Sequence, residues 1–310
     1  MRSAIFMTII SGLTGCGPYT NSRSTVGEEV ILRGPYTNDL DNQFSSVYYN
    51  GEYITFTGNG NVHRSSSTVS IVDAASRQGD LIISSPDGGL TYYWMEHIGV
   101  NNDGRLYGIL HQEDHINYSD NFQTHKSVNI VYSSDSGITW TSPQPIITSP
   151  EGPINGQPTG DGDCNIFDVG DSYLYGYCLR AIDFVTIFIQ APKSDLTSWK
   201  KLYQGSFSQP GVGGLSDSLG YVGTIPAVIN SSTIYNLYGS GNAVYYATTS
   251  INDGINFSNE KILFVSEYPI ISAVLVNPVD GSNKITNSGL IFYVTQHDGG
   301  NWLAYRTINF

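Results

Sequence analysis

Charge is scarce in this chain of 310 residues: charged side chains make up 13%, and only 14 are Lys or Arg against 27 Asp or Glu. With so few cations and a net charge of −13, neither nucleic acid nor an anionic membrane face is an expected partner. Strong helix formers are sparse. After the N-terminal apolar stretch no segment is apolar enough to span a bilayer. Cysteine occurs three times, so at most one intramolecular bridge remains once Cys16 is set aside. Gly (34) and Tyr (22) are abundant instead. That balance predicts one large all-β domain of short strands joined by Gly-rich turns.

Two segments share a pattern. Ser85-Pro86-Asp87-Gly88-Gly89-Leu90-Thr91-Tyr92 and Ser133-Ser134-Asp135-Ser136-Gly137-Ile138-Thr139-Trp140 both read Ser-x-Asp-x-Gly-x-Thr-aromatic. The Asp accepts hydrogen bonds from turn amides, the Gly tolerates positive φ, and the aromatic packs back on the sheet. Two looser versions follow. Ser250 to Phe257 has Asn at the Asp and Thr positions, and Lys193-Ser194-Asp195-Leu196-Thr197-Ser198-Trp199 is looser still. The aromatic anchors at 92, 140, 199 and 257 are spaced by 48, 59 and 58 residues, about one four-stranded blade each.

The pattern resembles the Asp-box of sialidases and related β-propellers, and the looser Lys193–Trp199 turn resembles one found in five-bladed glycoside hydrolases. This resemblance implies a propeller of five four-stranded blades over residues 28–310, with a six-bladed sialidase-like ring as the alternative. The strand Glu29 to Arg33 is expected to complete the last blade. Inner hairpins are predicted at Asn50-Gly51, Asn101 to Gly104, Gly170-Asp171, Asn230 to Ser232 and Asp280 to Asn287. The repeat segments are expected in the outer pairs of blades one, two and four, with Lys193 to Trp199 closing blade three.

Arg2 and the apolar run Ala4 to Ile10 read as a secretion signal over 1–15. Leu13-Thr14-Gly15-Cys16 resembles the lipobox of bacterial lipoproteins, which implies lipidation of Cys16 and a polar tether over 16–27. A plain secretory signal is the alternative. The expected address is outside the cytoplasm, lipid-anchored to the outer membrane or cell surface rather than the inner membrane, with the lipid as the only membrane contact and the protein a monomer. Cys164 and Cys178 flank a hairpin centred near residue 171, which sets them opposite each other; a disulfide and two buried thiols are both open readings.

The densest titratable cluster is Leu110-His111-Gln112-Glu113-Asp114-His115. Strand alternation puts His111, Glu113 and His115 on one face. His-x-Glu-x-His is not a specific zinc signature, so no metal is assigned, although Ca²⁺ in a Gly-Asp loop at 160–163 or in the channel stays open. By resemblance to five-bladed hydrolases, a catalytic carboxylate belongs before the first inner strand, where Asp39 and Asp41 lie. Asp163 and Arg180 would support it from blade three. Trp94, Glu96, His111 and His297 complete the expected substrate site, with Trp94 offered as a sugar-stacking ring or as packing. The reading takes Asp41 as base and Glu113 as acid, with Glu267 as the second choice of acid.

Three functions follow from the resemblance: an exported glycosidase acting on a poly- or oligosaccharide through paired carboxylates, a non-catalytic carbohydrate- or protein-binding module, or a sialidase. The last lacks an Arg-Ile-Pro motif and needs three converging arginines from Arg33, Arg64, Arg77, Arg105, Arg180 and Arg306.

Overall fold

A computed structural model describes residues 24–36, 40–41, 44–115 and 124–310. Cys16, Asp39 and most of the tether lie outside these residues. The described chain is almost entirely strand and turn, with one short helix, Ile71–Ala75, capped by the Ser70 hydroxyl on the amide of Asp73.

Antiparallel pairing groups the strands into successive meanders. The first runs Ser45–Tyr49, Glu52–Gly58, Val62–Ser67 and Asp80–Ile83. The second runs Thr91–Val100, Leu106–Asp114, His125–Ser133 and Gln144–Thr148. The third runs Thr159–Phe167, Tyr173–Arg180, Val185–Pro192 and Lys200–Tyr203, with Ser206–Pro210 added at its edge. The fourth runs Ile225–Ile229, Thr233–Ser240, Ala243–Ser250 and Lys261–Val265. The fifth runs Ile270–Val276, Ser288–His297 and Gly300–Asn309, and Val30–Tyr36 pairs antiparallel with this last strand.

Turn chemistry explains the hairpins. Asn50 and Gly51 both take positive φ, as does the pair Asn230–Ser231, which is the two-residue turn that matches strand twist. The inner strands are buried over most of their length; all of Ile225–Ile229 is buried. A strand covered on both faces reads as an unbroken run of apolar and small residues.

Burial on both faces follows from how the meanders stack. Each apolar cluster is shared by two of them. Phe56 and Ile54 pack on Met95 and Leu110, Ile109 and Val128 on Ile166 and Ile187, and Phe167 and Phe188 on Val228 and Ile234. Leu237 and Val244 pack on Leu275 and Ile291, and Phe292 and Leu303 of the fifth meander pack on Phe44 and Ile71 of the first. Phe44 and Phe292 stack at 4.3 Å.

The repeat segments make the expected turn bonds. Asp87 accepts from the Leu90 and Thr91 amides and the Thr91 hydroxyl; Asp135 accepts from the Thr139 amide and hydroxyl. The place of one differs from expectation, however. The segments at 133–140, 193–199 and 250–257 each turn from the third strand of a meander to its fourth, whereas 85–92 leads from the first meander into the inner strand of the second. The corresponding turn of the first meander holds the helix. The 48-residue step therefore compared unlike positions. In the last segment the side chain of Asp253, one residue past the expected position, takes the amides of Ile255 and Asn256. The anchors Trp140 and Phe257 pack on Phe56 and Tyr177 of the preceding meander, 5.9 and 5.6 Å away.

Candidate active site

Two bulges build the site. On Thr91–Val100, Met95 faces Leu110 and His97 faces Ile109, leaving Glu96 as the extra residue. On Thr159–Phe167, Gly162 faces Leu179 and Asn165 faces Tyr177, so Asp163 and Cys164 share the place opposite Cys178. Asp163 there takes a φ of +48°. A bulge turns a side chain out of the pleat, and here it turns Glu96 and Asp163 toward one point. Their carboxylate oxygens and a ring nitrogen of His111 lie within 4.8 Å of one another. Both residues sit inside strands: Glu96 a few residues past the strand entry expected for it, and Asp163 within the strand and not in the Gly-Asp loop expected before it, because these inner strands begin several residues earlier than predicted.

His111 is buried and its tautomer is set from outside the ring. Its Nδ1 accepts the Asp163 amide at 3.0 Å, so a neutral ring carries its proton on Nε2, which faces Glu113 Oε1 at 3.1 Å. Gly162 makes room for this ring: a Cβ there would stand 2.5 Å from His111 Cε1. His115 Nε2 lies 3.9 Å from the other oxygen of Glu113, which keeps all three alternating residues on one face.

Lys126 joins the two carboxylates, at 2.5 Å from Glu113 and 3.0 Å from Asp163. It is the cross-strand partner of Glu113, and a parallel contact with Gly160 brings it beside the third meander. Burial disfavours each of these charges, yet the ion pairs prevail. The His111 hydrogen bond and Lys126 hold Glu113 well below the usual carboxylate range, and Lys126 and His111 lower Asp163. The same two carboxylates keep Lys126 above the ordinary lysine range.

Asp41 and Glu96 are biased the other way. Burial raises the Asp41 pKa, and the charges of Glu113 and Asp163 raise it further against Lys126. Burial pushes Glu96 well above its ordinary value, with Asp163 adding to it; the nearby Cys164 amide favours the anion but makes no hydrogen bond of normal geometry. One mouth thus holds two carboxyls inclined to keep a proton and two inclined to lose it.

The remaining expected residues fall elsewhere or take other parts. Trp94 is 9% exposed and packs 5.3 Å from the His111 ring, so it offers no open face to a sugar. Arg180 is held by both oxygens of Asp183 and by Ser216. His297 lies between Tyr268 and Trp302, at 4.5 and 4.6 Å, with Nδ1 toward Asp298. Cys164 and Cys178 are joined as a disulfide across the third meander. Arg33, Arg64, Arg77, Arg105 and Arg306 bind to Thr57, Ser136, Asp73, Asp103 and Tyr293 respectively, so these and Arg180 do not converge on the cluster.

Sequence reading missed Lys126, Tyr221 and Tyr238. Tyr221, 53% exposed, meets Tyr238 edge-on at 5.2 Å, and both line a recess of about 130 Å³ that includes Asp163. The run Tyr221-Val222-Gly223-Thr224 just before an inner strand was the available signal, since the chain approaches the mouth there.

No protein-family model and no curated relative matches the sequence. Solved structures share the fold. An α-L-arabinofuranosidase from Podospora anserina superposes with a TM-score of 0.57 at 11% identity, over 92% of this chain and 98% of that one. An α-L-arabinofuranosidase from Lactobacillus brevis gives 0.57 at 12% identity, over 87% and 90%. A protein of unknown function from Dyadobacter fermentans gives 0.52 at 11%, over 92% and 99%. At such identities the likeness establishes the fold: all-β, almost without helix, of the propeller-like kind found in these glycosidases.

Proposed function

We propose that this protein is an exported glycoside hydrolase on a five-bladed propeller, acting on a glycan at the mouth that holds Asp41, Glu113 and Asp163. One observation carries the reading: carboxyls with opposed proton affinities surround a single opening. Glycoside hydrolysis needs such a division, one carboxylic acid to protonate the leaving oxygen and one carboxylate as base or nucleophile. The electrostatics favour a different division from the one drawn from sequence, which had Asp41 as base and Glu113 as acid. Asp41, half-buried and inclined to stay protonated, is the better acid. Asp163, kept ionised and lining the tyrosine recess, is the better carboxylate. Glu113, bound by both His111 and Lys126, orients them. Tyr221 supplies the exposed ring for stacking.

The test is hydrolysis of a panel of aryl glycosides and polysaccharides by wild type, Asp41→Asn and Asp163→Asn. General acid–base roles predict losses of about 10²–10⁴-fold in kcat for each. Hydrolysis retained by both variants overturns the assignment. The second reading, a non-catalytic glycan-binding module, is favoured by Lys126, which engages two carboxylates that catalysis would want free. Glycan binding without hydrolysis, surviving both substitutions, would select it. Export and lipidation are supported by Leu13-Thr14-Gly15-Cys16 and by the oxidised cysteine pair. Incorporation of labelled palmitate that disappears in Cys16→Ala tests the anchor.

A further inference from the structure

Phe184 is 58% exposed and takes a φ of +54°, a backbone conformation that a bulky side chain enters at a cost. It closes the turn from Tyr173–Arg180 to Val185–Pro192. That turn lies at the mouth of the candidate site. Arg180 pairs with Asp161, and Leu179, which pairs with Gly162, lines the recess that holds Asp163 and Tyr221. The ring stands on a fixed rim. Arg180 grips both oxygens of Asp183 and donates to the carbonyl and hydroxyl of Ser216. Thr186 is buried and bonds to Leu219 and Gly220 through its backbone and to Val222 and Gly223 through its hydroxyl. Phe184, two residues before Thr186, and Tyr221, between Gly220 and Val222, are thereby carried on one clamped unit. Tyr238 braces Tyr221 edge-on, stacks on Tyr245 at 5.3 Å and donates to Glu260. Backbone strain in a ring that hides little surface is not explained by packing, and such strain gathers where ligands are held.

We propose that the ligand of this mouth is a chain of several uncharged sugars, and that the sugars beyond the one at Asp163 lie on Tyr221 and Phe184. Aromatic faces suit the C–H sides of sugar rings, and two exposed rings on one rim can hold successive units where a lone ring holds one. Charge selects the neutral class. Lys126, Arg180 and Lys201, the cations on the strands that build this end of the third meander, are each held by carboxylates. Asp41, Glu113, Asp163 and Asp183 stand around the same opening. A uronate, sialate or sulfate would meet surplus negative charge and no unmatched cation among these three. The inference rests on the proposed use of this mouth for a glycan, but not on hydrolysis there.

Titration calorimetry on the full chain tests it, with cello-, xylo- and manno-oligosaccharides of one to six sugars and oligogalacturonides of the same lengths as charged counterparts. The expected result is that affinity for a neutral series rises with length and then levels off, while the charged chains bind at least about ten-fold more weakly. Phe184→Gly removes the ring and suits the positive φ, so it should fold with an unchanged or higher Tm. It should nevertheless weaken the longest neutral chain by about three- to ten-fold and leave the shortest unaffected. Phe184→Tyr, which restores a ring, should recover the difference. Affinity that is flat with length, a length gain that survives Phe184→Gly, charged chains that bind as tightly as neutral ones, or no chain binding at all would each overturn the proposal. Because binding is the readout, the two readings fail separately. Aryl glycosides hydrolysed without any gain from length would leave the glycosidase and sink the extended site. A length gain without hydrolysis would do the reverse.

Discussion

Asp161 and Asp163 lie on the same strand and each faces a lysine, but their surroundings differ in kind. Lys201 reaches Asp161 at 2.5 Å and also donates to the carbonyls of Thr148 and Gly214. Both side chains are essentially inaccessible, at 0% and 1% exposure, and burial disfavours both charges. One cation meets one anion, and the remaining donors are spent on backbone. Around Asp163 a single lysine serves Glu113 as well, with Asp41 and Glu96 close enough to feel the excess, and the cluster opens on the tyrosine recess. A closed pair with matched charge fixes the third meander to the segments around it. An open cluster with surplus carboxylate is biased toward holding a proton.

Parallel substitutions sharpen that contrast. Lys201→Met leaves Asp161 buried without its partner and should cost about 3–5 kcal/mol in urea unfolding, since a broken buried pair leaves an uncompensated charge. Any activity should survive in the fraction that folds. Asp163→Asn should cost far less stability while removing hydrolysis; an unfolding loss equal to that of Lys201→Met would erase the distinction. Replacing Cys164 and Cys178 by Ser opens a loop with a sequence separation of 14, worth about 3 kcal/mol by chain entropy, and should lower stability without altering the pH dependence of the site.

Acid and alkaline limbs separate the two kinds of carboxyl. Glu113 and Asp163 have lowered pKa values in the folded protein. Their contribution is present above the unfolded values, about 4, and is lost as pH falls through the folded ones. Lys126→Met should therefore flatten the fall of Tm in acid. Glu96 is raised, so the stability of its neutral form is complete below its unfolded value and drains as pH climbs through the folded one. Glu96→Gln should gain on wild type steadily as pH increases in a Tm series; a difference independent of pH would place the carboxyl in an ordinary environment. The smallest effect belongs to the repeat turns. Asp135→Ala removes several bonds to one surface turn and should cost about 1–2 kcal/mol, with the site unaffected.

Local chemistry made part of this molecule legible. Asn50-Gly51 and Gly170-Asp171 announced hairpins because their backbone angles are demanded by the turn itself. His111 and Glu113 could be placed together because strand alternation is fixed. The site as a whole was less legible. Glu96 and Asp163 owe their direction to bulges, and a bulge leaves little trace in composition beyond the glycines at 160 and 162. Lys126 looked like one of a few scattered lysines, since its role depends on a contact between meanders. The segment at 85–92 has the residues of its turn but not the location of the others, because the motif encodes a turn and says nothing about which strands it joins.

The pairing of Val30–Tyr36 with Gly300–Asn309 sets an order of events. Arg33 is matched with Leu303, so some 270 residues must be made before that ladder can form. Contacts so distant in sequence form late and slowly. During synthesis Val30–Tyr36 has no sheet to join, and its place beside the fifth meander must wait for Gly300–Asn309. A protein released or held by its N-terminus before residue 309 emerges would carry an unpaired edge, so the strand Gly300–Asn309 acts as the clasp between two distant parts of the chain.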